Sequence, residues 1–225
     1  RLLGSVHRLV LERRAPLLAL HYPSVGGTWD LERAWPAFAR LLAEHPAAVA
    51  EWLDRPPQTN EVGRAAGLMG GLLQLRHRLP VRLFEIGSSA GLILLADRFR
   101  YADEAGRVFG DPGSDVRLGR AWEGHPLTPW PDLRVVERLG SDLAPVDPGT
   151  TEGRLTLTAY VWPDQAARLE RLRGTLSLAA RLPVEVRSSG AAAFVGDLEL
   201  REGTTTVLWH SVMWQYLDPS DQQAV

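Results

Sequence analysis

Residues 81–98 place a hydrophobic segment, a turn of small residues and a second apolar segment in direct succession. The first segment, Val81 to Ile86, is nearly continuously apolar, as in a buried parallel strand, and carries an acidic residue, Glu85, near its end. The turn from Gly87 to Gly91 contains only glycine, serine and alanine, and the run from 92 to 98 predicts a helix. In parallel α/β domains such a turn lets the backbone approach a nucleotide-like ligand, and the helix N-terminus offers unpaired N–H groups. The stretch therefore predicts an α/β domain with a ligand site at this turn.

Strands and helices alternate along the rest of the chain. The predicted strands are 133–139, 154–161, 183–187 and 204–210, the predicted helices are 166–180 and 191–198, and a hairpin is predicted over 99–109. This alternation predicts a Rossmann-like, doubly wound, mostly parallel sheet, in which ligands bind outside the carboxyl ends of the strands. The polar residues that follow these strands are therefore the candidates for a site.

The residues before the first strand have the hydrophobic periodicity of helices. Trp35, Phe38 and Leu41 recur at helical spacing, which favours packing of these side chains in a core. We therefore predict two regions. An N-terminal helical region over 1–78 packs on the core, and a Rossmann-like domain extends over 79–225.

A polar cluster precedes the apolar helix predicted at 65–75, and it admits two interpretations. Thr59 or Asn60 is suited to cap that helix, and Glu61 in its first turn would interact favourably with the helix dipole. Alternatively, Asn60, Glu61 and Arg64 line a pocket beside the glycine turn. The sequence leaves both interpretations open.

Composition argues against several classes of function. The formal net charge is -2, so no basic field suggests a nucleic-acid or anionic-membrane partner. With 0 cysteines the chain has no disulfide, thiolate metal site or cysteine nucleophile. The 6 histidines are scattered without HxH or HExxH spacing, so we predict no metal site. No apolar run reaches the ~20 residues of a membrane span and no signal peptide is visible, so we expect a cytoplasmic protein with a small-molecule ligand.

The central turn matches a nucleotide-binding motif. Glu85, Gly87, Ser89 and Gly91 fit the spacing acidic-x-Gly-x-small-x-Gly, as in the first motif of S-adenosylmethionine-dependent methyltransferases. In that interpretation Glu85 contacts the amine of the ligand directly or through water, and the two glycines allow close approach of the backbone. Ser89 takes the place of the usual central glycine.

The same turn also fits the nucleophile elbow G-x-S-x-G of serine hydrolases. In this alternative Ser89 attacks, His210 is the base and Asp164 orients the base. That fold normally has several strands before the elbow, whereas residues 1–80 are predicted to be helical, and no His-Gly oxyanion segment occurs in the sequence. A further alternative is a non-catalytic interaction domain in which the 8 tryptophans lie largely in core and interface.

Four segments of the chain together resemble a known bacterial family. They are Thr59–Val62 with Arg64, Glu85–Leu92 with Asp97 and Arg98, Tyr160–Gln165 with Arg168, and His210–Val212 with Tyr216. From about Gln58 onward the chain is similar to domain-of-unknown-function family 2332, whose members are uncharacterised. That family resembles the S-adenosylmethionine-dependent methyltransferases in fold.

The resemblance implies roles for further residues. By analogy with methyltransferases, Asp142 would meet the adenine amine, and Trp162 would stack on a planar substrate or cofactor. Asp164 or His210 would act as the base where a methyl acceptor carries a proton. The other residues expected to bind substrate are Asn60, Glu61, Arg64, Gln165 and Tyr216.

The chain departs from the family pattern at two points. Ile93 stands where the family usually has asparagine, which removes a polar group near the expected ligand. The family continues well beyond its His-Ser motif, whereas this chain ends at Val225, so the sheet is expected to lack its final strands. We therefore expect a protein that binds S-adenosylmethionine or a related nucleoside. If it is catalytic, it would be a methyltransferase-like transferase acting on a small molecule.

Overall fold

The computed structural model of the protein describes residues 1–55, 57–124 and 127–225. The chain forms two compact units, each assembled from two segments. The helical unit comprises Arg1–Thr59 and Val146–Arg173, and the sheet unit comprises Asn60–Pro145 and Gly174–Val225. The division expected from the sequence, after residue 78, follows the chain continuously, whereas both of these units are discontinuous.

The helices agree in most places with the sequence pattern. In chain order they are α1 (Leu2–Leu11), α2 (Pro16–Ala19), α3 (Leu31–Glu44), α4 (Pro46–Leu53), α5 (Ala65–Leu73), α6 (Thr151–Ala159), α7 (Ala166–Arg181), α8 (Ala191–Gly196) and α9 (Pro219–Ala224). Short 3₁₀ helices span Pro23–Val25, Val62–Arg64, Leu92–Arg98 and Met213–Tyr216. The helices predicted at 166–180 and 191–198 are confirmed as α7 and α8.

The core of the helical unit forms around α1. Val6, Leu9 and Val10 lie on one face of α1 at helical spacing and pack in a cluster that includes Leu41 and Val49. Polar groups on the same helix are satisfied inside the unit. The Ser5 hydroxyl donates to the Val49 carbonyl at 2.8 Å, and the buried Arg8 guanidinium pairs with Glu12 and Glu152.

The sheet unit contains a parallel sheet of four strands. They are β1 (Val81–Ile86), β5 (Val135–Asp142), β6 (Glu185–Ser188) and β7 (Thr205–Trp209), and a smaller sheet contains β2 (Arg100–Ala102), β3 (Val108–Gly110) and β4 (Arg117–Leu118). The parallel sheet has the order β6-β5-β1-β7, so its strands run third, second, first, fourth along the chain. The chain therefore adds β5 and β6 on one side of β1 and then places β7 on the other side, so the order of the strands reverses at β1. Because β1 lies between two neighbours, all of its residues are buried, as its apolar sequence predicted.

The hairpin predicted over 99–109 is confirmed, but it does not belong to the parallel sheet. Tyr101 pairs with Phe109 across the antiparallel β2–β3 pair, and β4 joins the other side of β2. Trp122 covers this small sheet, since its ring stacks on Tyr101 and meets Phe109 edge-on. The second strand of the parallel sheet is instead β5, which extends three residues beyond the predicted strand 133–139.

The strand predicted at 154–161 is wrong, because these residues belong mainly to α6. The alternation of leucine with threonine predicts a strand, but the residues just before it favour the start of a helix. The Thr150 hydroxyl accepts a hydrogen bond from the Gly153 N–H at 2.9 Å, and Glu152 lies in the first turn. The buried residues Gly153 and Leu157 are four apart, which is the spacing of a helix face.

The helix predicted after the glycine turn is also different in the structure. Leu92–Arg98 forms a 3₁₀ helix of 7 residues, and its residues 92–96 are buried. A short 3₁₀ segment has poorer hydrogen-bond geometry and no extended macrodipole. The expected anion-binding helix N-terminus is therefore not formed after this turn.

Among the described helices, none combines the length and the apolar character needed to cross a bilayer.

Candidate functional site

The carboxyl ends of three neighbouring parallel strands bring the central turn together with Asp142 and His210. Glu85 lies opposite Gly140 of β5 and opposite Trp209 of β7. Because residues in register on parallel strands project to the same face, the Glu85 and Trp209 side chains share one face of the sheet. The turn follows β1, Asp142 ends β5, and His210 follows β7, next to the point where the strand order reverses.

The Glu85 carboxyl group is buried at the end of the central strand. Its Oε2 atom has no hydrogen-bond partner among the described residues. Burial raises the pKa of this carboxyl well above its ordinary value, the nearby Asp142 carboxylate raises it further, and the Arg64 guanidinium lowers it. The arrangement therefore favours the neutral form of this acid.

Further buried polar atoms lie at this end of the sheet unit without partners among the described residues. They are Asn60 Oδ1, Ser141 Oγ and Trp209 Nε1. Asn60 is held beside the turn, because its Nδ2 donates to the Ser88 carbonyl at 2.7 Å. Strand register puts Trp209 on the same face of the sheet as Glu85, whereas Ser141, which lies opposite Ile86, is on the other face. Buried polar groups are normally paired, so each unpaired atom indicates a place for water or for a polar ligand. The Asn60 amide oxygen is an acceptor, the Trp209 indole N–H is a donor, and the Ser141 hydroxyl is both.

Asp142 holds the central turn in place. Its Oδ2 accepts from the Ser89 N–H at 2.8 Å and its Oδ1 accepts from the Ala144 N–H at 3.0 Å. Ser88 adds two contacts to β5, because its N–H and its hydroxyl both donate to the Ser141 carbonyl, at 3.0 and 3.2 Å. These bonds fix the turn in a conformation with positive φ at Gly87, Ser89 and Gly91, namely 66°, 54° and 67°.

Protein side chains occupy the space that the two glycines leave open. A Cβ atom at Gly87 would lie 2.6 Å from Cβ and Cγ of Met213, and one at Gly91 would lie 2.9 Å from Cγ2 of Val186. Both glycines are therefore required by packing and by positive φ. The sequence pattern alone did not distinguish this requirement from close approach of a ligand.

The polar cluster before α5 is divided between two roles. The Glu61 side chain accepts from the Gly63 N–H at 3.0 Å and caps the 3₁₀ helix Val62–Arg64. Asn60 does not cap a helix and contacts the turn instead. Arg64 is half-buried, and its charge acts on Glu85. Capping therefore comes from Glu61 at a 3₁₀ helix, and neither Thr59 nor Asn60 caps α5. A pocket lined by Asn60, Glu61 and Arg64 stays a prediction.

His210 and Tyr216 are exposed. The strand that precedes His210 is at the edge of the sheet, and most of β7 is only half-buried, since its other side has no neighbouring strand among the described residues. The His210 ring stacks on Trp214 at 5.4 Å between centroids. Tyr216 ends the 3₁₀ helix Met213–Tyr216, the segment whose Met213 packs on Gly87.

The remaining predicted site residues belong to the helical unit. Trp162, Asp164 and Gln165 lie in the connection between α6 and α7. Gln165 Oε1 accepts from the Arg168 guanidinium, while Trp162 and Asp164 line a cavity of about 600 Å³. The hydrolase alternative therefore draws Ser89 and His210 from one unit and Asp164 from the other.

Sequence reasoning missed two groups of residues. Trp209 and Ser141 were passed over because each stands one position before a more polar residue, although pairing Glu85 with its neighbours by strand register would have identified Trp209. Tyr22 and Trp29, which line the cavity, gave no signal because they lie in a loop without a recognisable motif. Among the described histidines and carboxylates, which do not include His125, no group of three is placed to hold a metal ion.

Comparison with protein families gives one match. Residues 1–225 match a family described as "Uncharacterized protein conserved in bacteria (DUF2332)". Neither the curated proteins nor the solved structures include a significant match to this chain.

Proposed function

The chain belongs to this bacterial family of uncharacterised proteins, and from that premise we propose that its sheet unit binds S-adenosylmethionine or a related nucleoside at the carboxyl end of β1. In this proposal Glu85 receives the ammonium group of the ligand. The observation that carries the proposal is the buried Glu85 carboxyl, whose Oε2 has no partner among the described residues. Native proteins rarely retain such a group without a functional reason.

The chemistry of an ammonium ion suits this place. An ammonium group has three donors and no acceptor, and the buried oxygens of Glu85 and Asn60 are acceptors. A bound cation would lower the pKa of Glu85 and convert the buried acid to a carboxylate, which strengthens the ion pair. The half-buried Arg64 repels a cation, so the proposal requires the ammonium to approach Glu85 from the side away from Arg64.

The topology gives further support. The order third, second, first, fourth is that of the first four strands of a Rossmann fold, where ligands bind beside the reversal of strand order. We therefore propose a Rossmann-like, methyltransferase-like architecture for the sheet unit. The Asp142 carboxylate could also contact an adenine amine. Each of its oxygens accepts one hydrogen bond, from the Ser89 or the Ala144 N–H, and is able to accept a second.

Met213 sets a condition on the proposal. Its side chain covers Gly87, so this face of the turn is not open to a ligand while Met213 stays in place. Either the ligand contacts only the Glu85 face of the sheet, or the segment Val212–Tyr216 moves when the ligand binds. Val212 has a positive φ of 70°, which is unfavourable for a β-branched residue. This strain makes the segment Val212–Tyr216 less stable than the turn that it covers.

If the protein is catalytic, we propose methyl transfer to a small molecule. The cofactor would supply the electrophilic methyl group. Within the sheet unit, His210 would accept the proton of an acceptor that carries one, and Tyr216 is the proposed substrate contact. Asp164, Trp162 and Gln165, which the sequence analysis also placed at this site, belong to the helical unit and have no role in the proposal.

Calorimetry on purified protein tests the binding proposal. S-adenosylhomocysteine carries the ammonium group, whereas methylthioadenosine has the same nucleoside without the amino-acid portion. We expect Glu85→Gln to weaken binding of S-adenosylhomocysteine by about tenfold or more, as for loss of a buried charge-assisted contact, and to leave methylthioadenosine unaffected. Glu202→Gln, at an exposed glutamate of the same unit, is the matched control. If the wild-type protein binds neither S-adenosylmethionine nor S-adenosylhomocysteine, the proposal fails.

A serine hydrolase is the second candidate, and one observation favours it. Ser89 has a φ of 54° directly after a buried strand, and strained positive φ is a property of nucleophile elbows. Labelling with a fluorophosphonate probe tests this activity. Labelling that is lost in Ser89→Ala and retained in Ser88→Ala would favour the hydrolase over the nucleoside-binding protein.

A further inference from the structure

The helical unit contains a cavity that the proposed nucleoside site does not use. Its volume is about 600 Å³, and all the described residues that line it belong to the helical unit. Four segments form it: the start of α1, the loop that holds Tyr22 and Trp29, residues 57–59, and the connection between α6 and α7. Pockets that bind small molecules usually have volumes of roughly 300–1,000 Å³, so this cavity has the size of a ligand site.

Two tyrosines, Tyr22 and Tyr160, line the less exposed part of the cavity. Gly4 lies against the Tyr160 ring so closely that a Cβ atom at position 4 would be 2.9 Å from it. Tyr22 is buried, and burial raises the pKa of its hydroxyl to about 12. This hydroxyl therefore stays protonated at physiological pH and is able to donate a hydrogen bond.

Large apolar residues at the cavity are exposed to solvent. Leu3, Trp29 and Trp162 are 51%, 54% and 57% exposed, and all three line the cavity. Exposed apolar side chains that stand alone need no explanation, but a group of them around a concave surface indicates a binding site. A ligand in the cavity would remove part of this surface from water.

Charge at the cavity gives no preference for an ionic ligand. Among the lining residues that the structure describes, the charged side chains are one arginine, Arg1, and one aspartate, Asp164. The Arg1 guanidinium already donates to the Leu53 carbonyl at 2.9 Å. With opposite charges present in equal number, the lining favours a neutral ligand over either ion.

We propose that this cavity binds an uncharged, planar aromatic molecule of about two or three rings, a size that fits the volume of the cavity. Flat rings are the best partners for the tyrosine and tryptophan side chains, since offset and edge-to-face contacts add to the burial of apolar area. The tyrosine hydroxyls provide contacts for a polar substituent. The inference does not depend on nucleoside binding, because none of the described residues of the sheet unit lines the cavity.

Titration with N-phenyl-1-naphthylamine tests the inference. This probe is uncharged and aromatic, and its fluorescence rises when it leaves water for an apolar site. We expect saturable binding with one site per chain. Trp162→Ala should weaken it by about tenfold, the effect of losing one aromatic contact and its buried area. Leu3→Glu should weaken it at least as much, because it places a charge at the cavity without removing a core residue.

Two variants provide matched controls within the helical unit. Trp35 is 64% exposed and Leu17 is 50% exposed, and neither lines the cavity. Trp35→Ala and Leu17→Glu should therefore leave the affinity for the probe unchanged. Thermal melts followed by circular dichroism identify any variant that is unfolded at the titration temperature. Leu3→Glu still tests the inference if Trp162→Ala does not fold.

Two results would overturn the inference. One is the absence of saturable probe binding by the wild-type protein. The other is binding that Trp162→Ala and Leu3→Glu leave unchanged, or that the controls reduce equally. Glu85→Gln should not alter probe binding, so failure here is distinguishable from failure of the nucleoside proposal.

Discussion

Glu85 combines features that rarely occur together in one residue. It lies in a fully buried strand, it has a carboxylate neighbour in Asp142, and one of its oxygens has no partner among the described residues. A folded protein without ligand is therefore more stable when this group is protonated. The side chain therefore costs stability at neutral pH, where an ordinary carboxyl group is ionised.

This cost should be visible as a dependence of stability on pH. The folded-state pKa of Glu85 is raised, so between the ordinary value of 4.5 and the raised value the folded protein binds a proton that the unfolded chain does not. The stabilisation is complete below 4.5 and is lost as the pH rises through the folded pKa. Relative to Glu85→Gln, the wild-type free energy of unfolding should fall between pH 5 and pH 8, as measured by urea denaturation at each pH.

The substitution Glu202→Gln, at an exposed carboxylate, should show no such difference from the wild type over the same pH range. If the wild type and Glu85→Gln keep a constant difference in stability between pH 5 and pH 8, the pKa of Glu85 is not raised.

Gly87 and Gly71 differ in the atoms that an added Cβ methyl group would contact. Gly87→Ala places Cβ 2.6 Å from Met213 at a φ of 66°, so we expect a loss of about 1–3 kcal/mol in the free energy of unfolding. Gly71 lies in α5 with no atom within 4 Å of the added Cβ. Gly71→Ala should therefore stabilise by up to about 1 kcal/mol. Urea denaturation checks both, and equal effects of the two substitutions would contradict the packing of Met213 on the turn.

The α6 helix shows how local signals and periodicity compete. The sequence 155–158 alternates leucine with β-branched threonine, which favours a strand, whereas the capping residue Thr150 and Glu152 favour a helix. The helix forms because its buried face packs on α1, where the Arg8 guanidinium reaches Glu152 and Thr156. Tertiary contacts of this kind cannot be read from a local window.

The cap of α6 can be tested directly. The Thr150 hydroxyl accepts from the Gly153 N–H, so Thr150→Ala should lower the free energy of unfolding by about 1 kcal/mol. Thr150→Ser retains the hydroxyl and should stay within a few tenths of the wild type. Thermal and urea denaturation measure the difference. Equal stability of the two variants would show that the hydroxyl does not cap the helix.

Much of the sheet unit could be predicted from the sequence. Buried parallel strands have continuous apolar runs, so β1 was predicted with its observed bounds, and β5, β6 and β7 were predicted within a few residues. The meeting of Glu85 with Asp142 follows from the same prediction, because the carboxyl ends of parallel strands lie at one edge.

The parts that could not be predicted depend on contacts distant in sequence. Trp162 and Asp164 were expected after a strand of the sheet, and they follow α6 in the helical unit instead. The packing of Met213 on Gly87 joins residues that are far apart along the chain, and a glycine motif carries no information about which atom fills the space beside it. The roles of the site residues remain predictions.

The helical unit depends on two segments of the chain that are separated by more than eighty residues of the sheet unit. His7 in the first segment has a ring nitrogen 3.2 Å from the carbonyl of Ala159 in the second, and Arg8 pairs with Glu152. Residues 1–78 alone lack these partners. In a fragment of residues 1–78, Arg8 would form an ion pair with Glu12 alone. The face of α1 that packs on α6 would be exposed to solvent.

A fragment of residues 1–78 should therefore fail to show a cooperative thermal transition by far-UV circular dichroism. Joining 1–59 to 146–173 through a glycine-serine linker restores both segments, and that chain should melt cooperatively. The opposite result, a sharp transition in the 1–78 fragment, would mean that this region folds without α6.

The discontinuity of the helical unit also determines when it is completed on the ribosome. After Thr59 is added, synthesis must continue to Arg173 before the second segment exists, which at 5–20 residues per second takes on the order of 6 to 23 s. During that interval the apolar face of α1 has no α6 to cover it, and chaperones that bind exposed hydrophobic helices have time to engage it. The rate of translation over residues 60–173 thus becomes a determinant of how much nascent chain reaches the native fold.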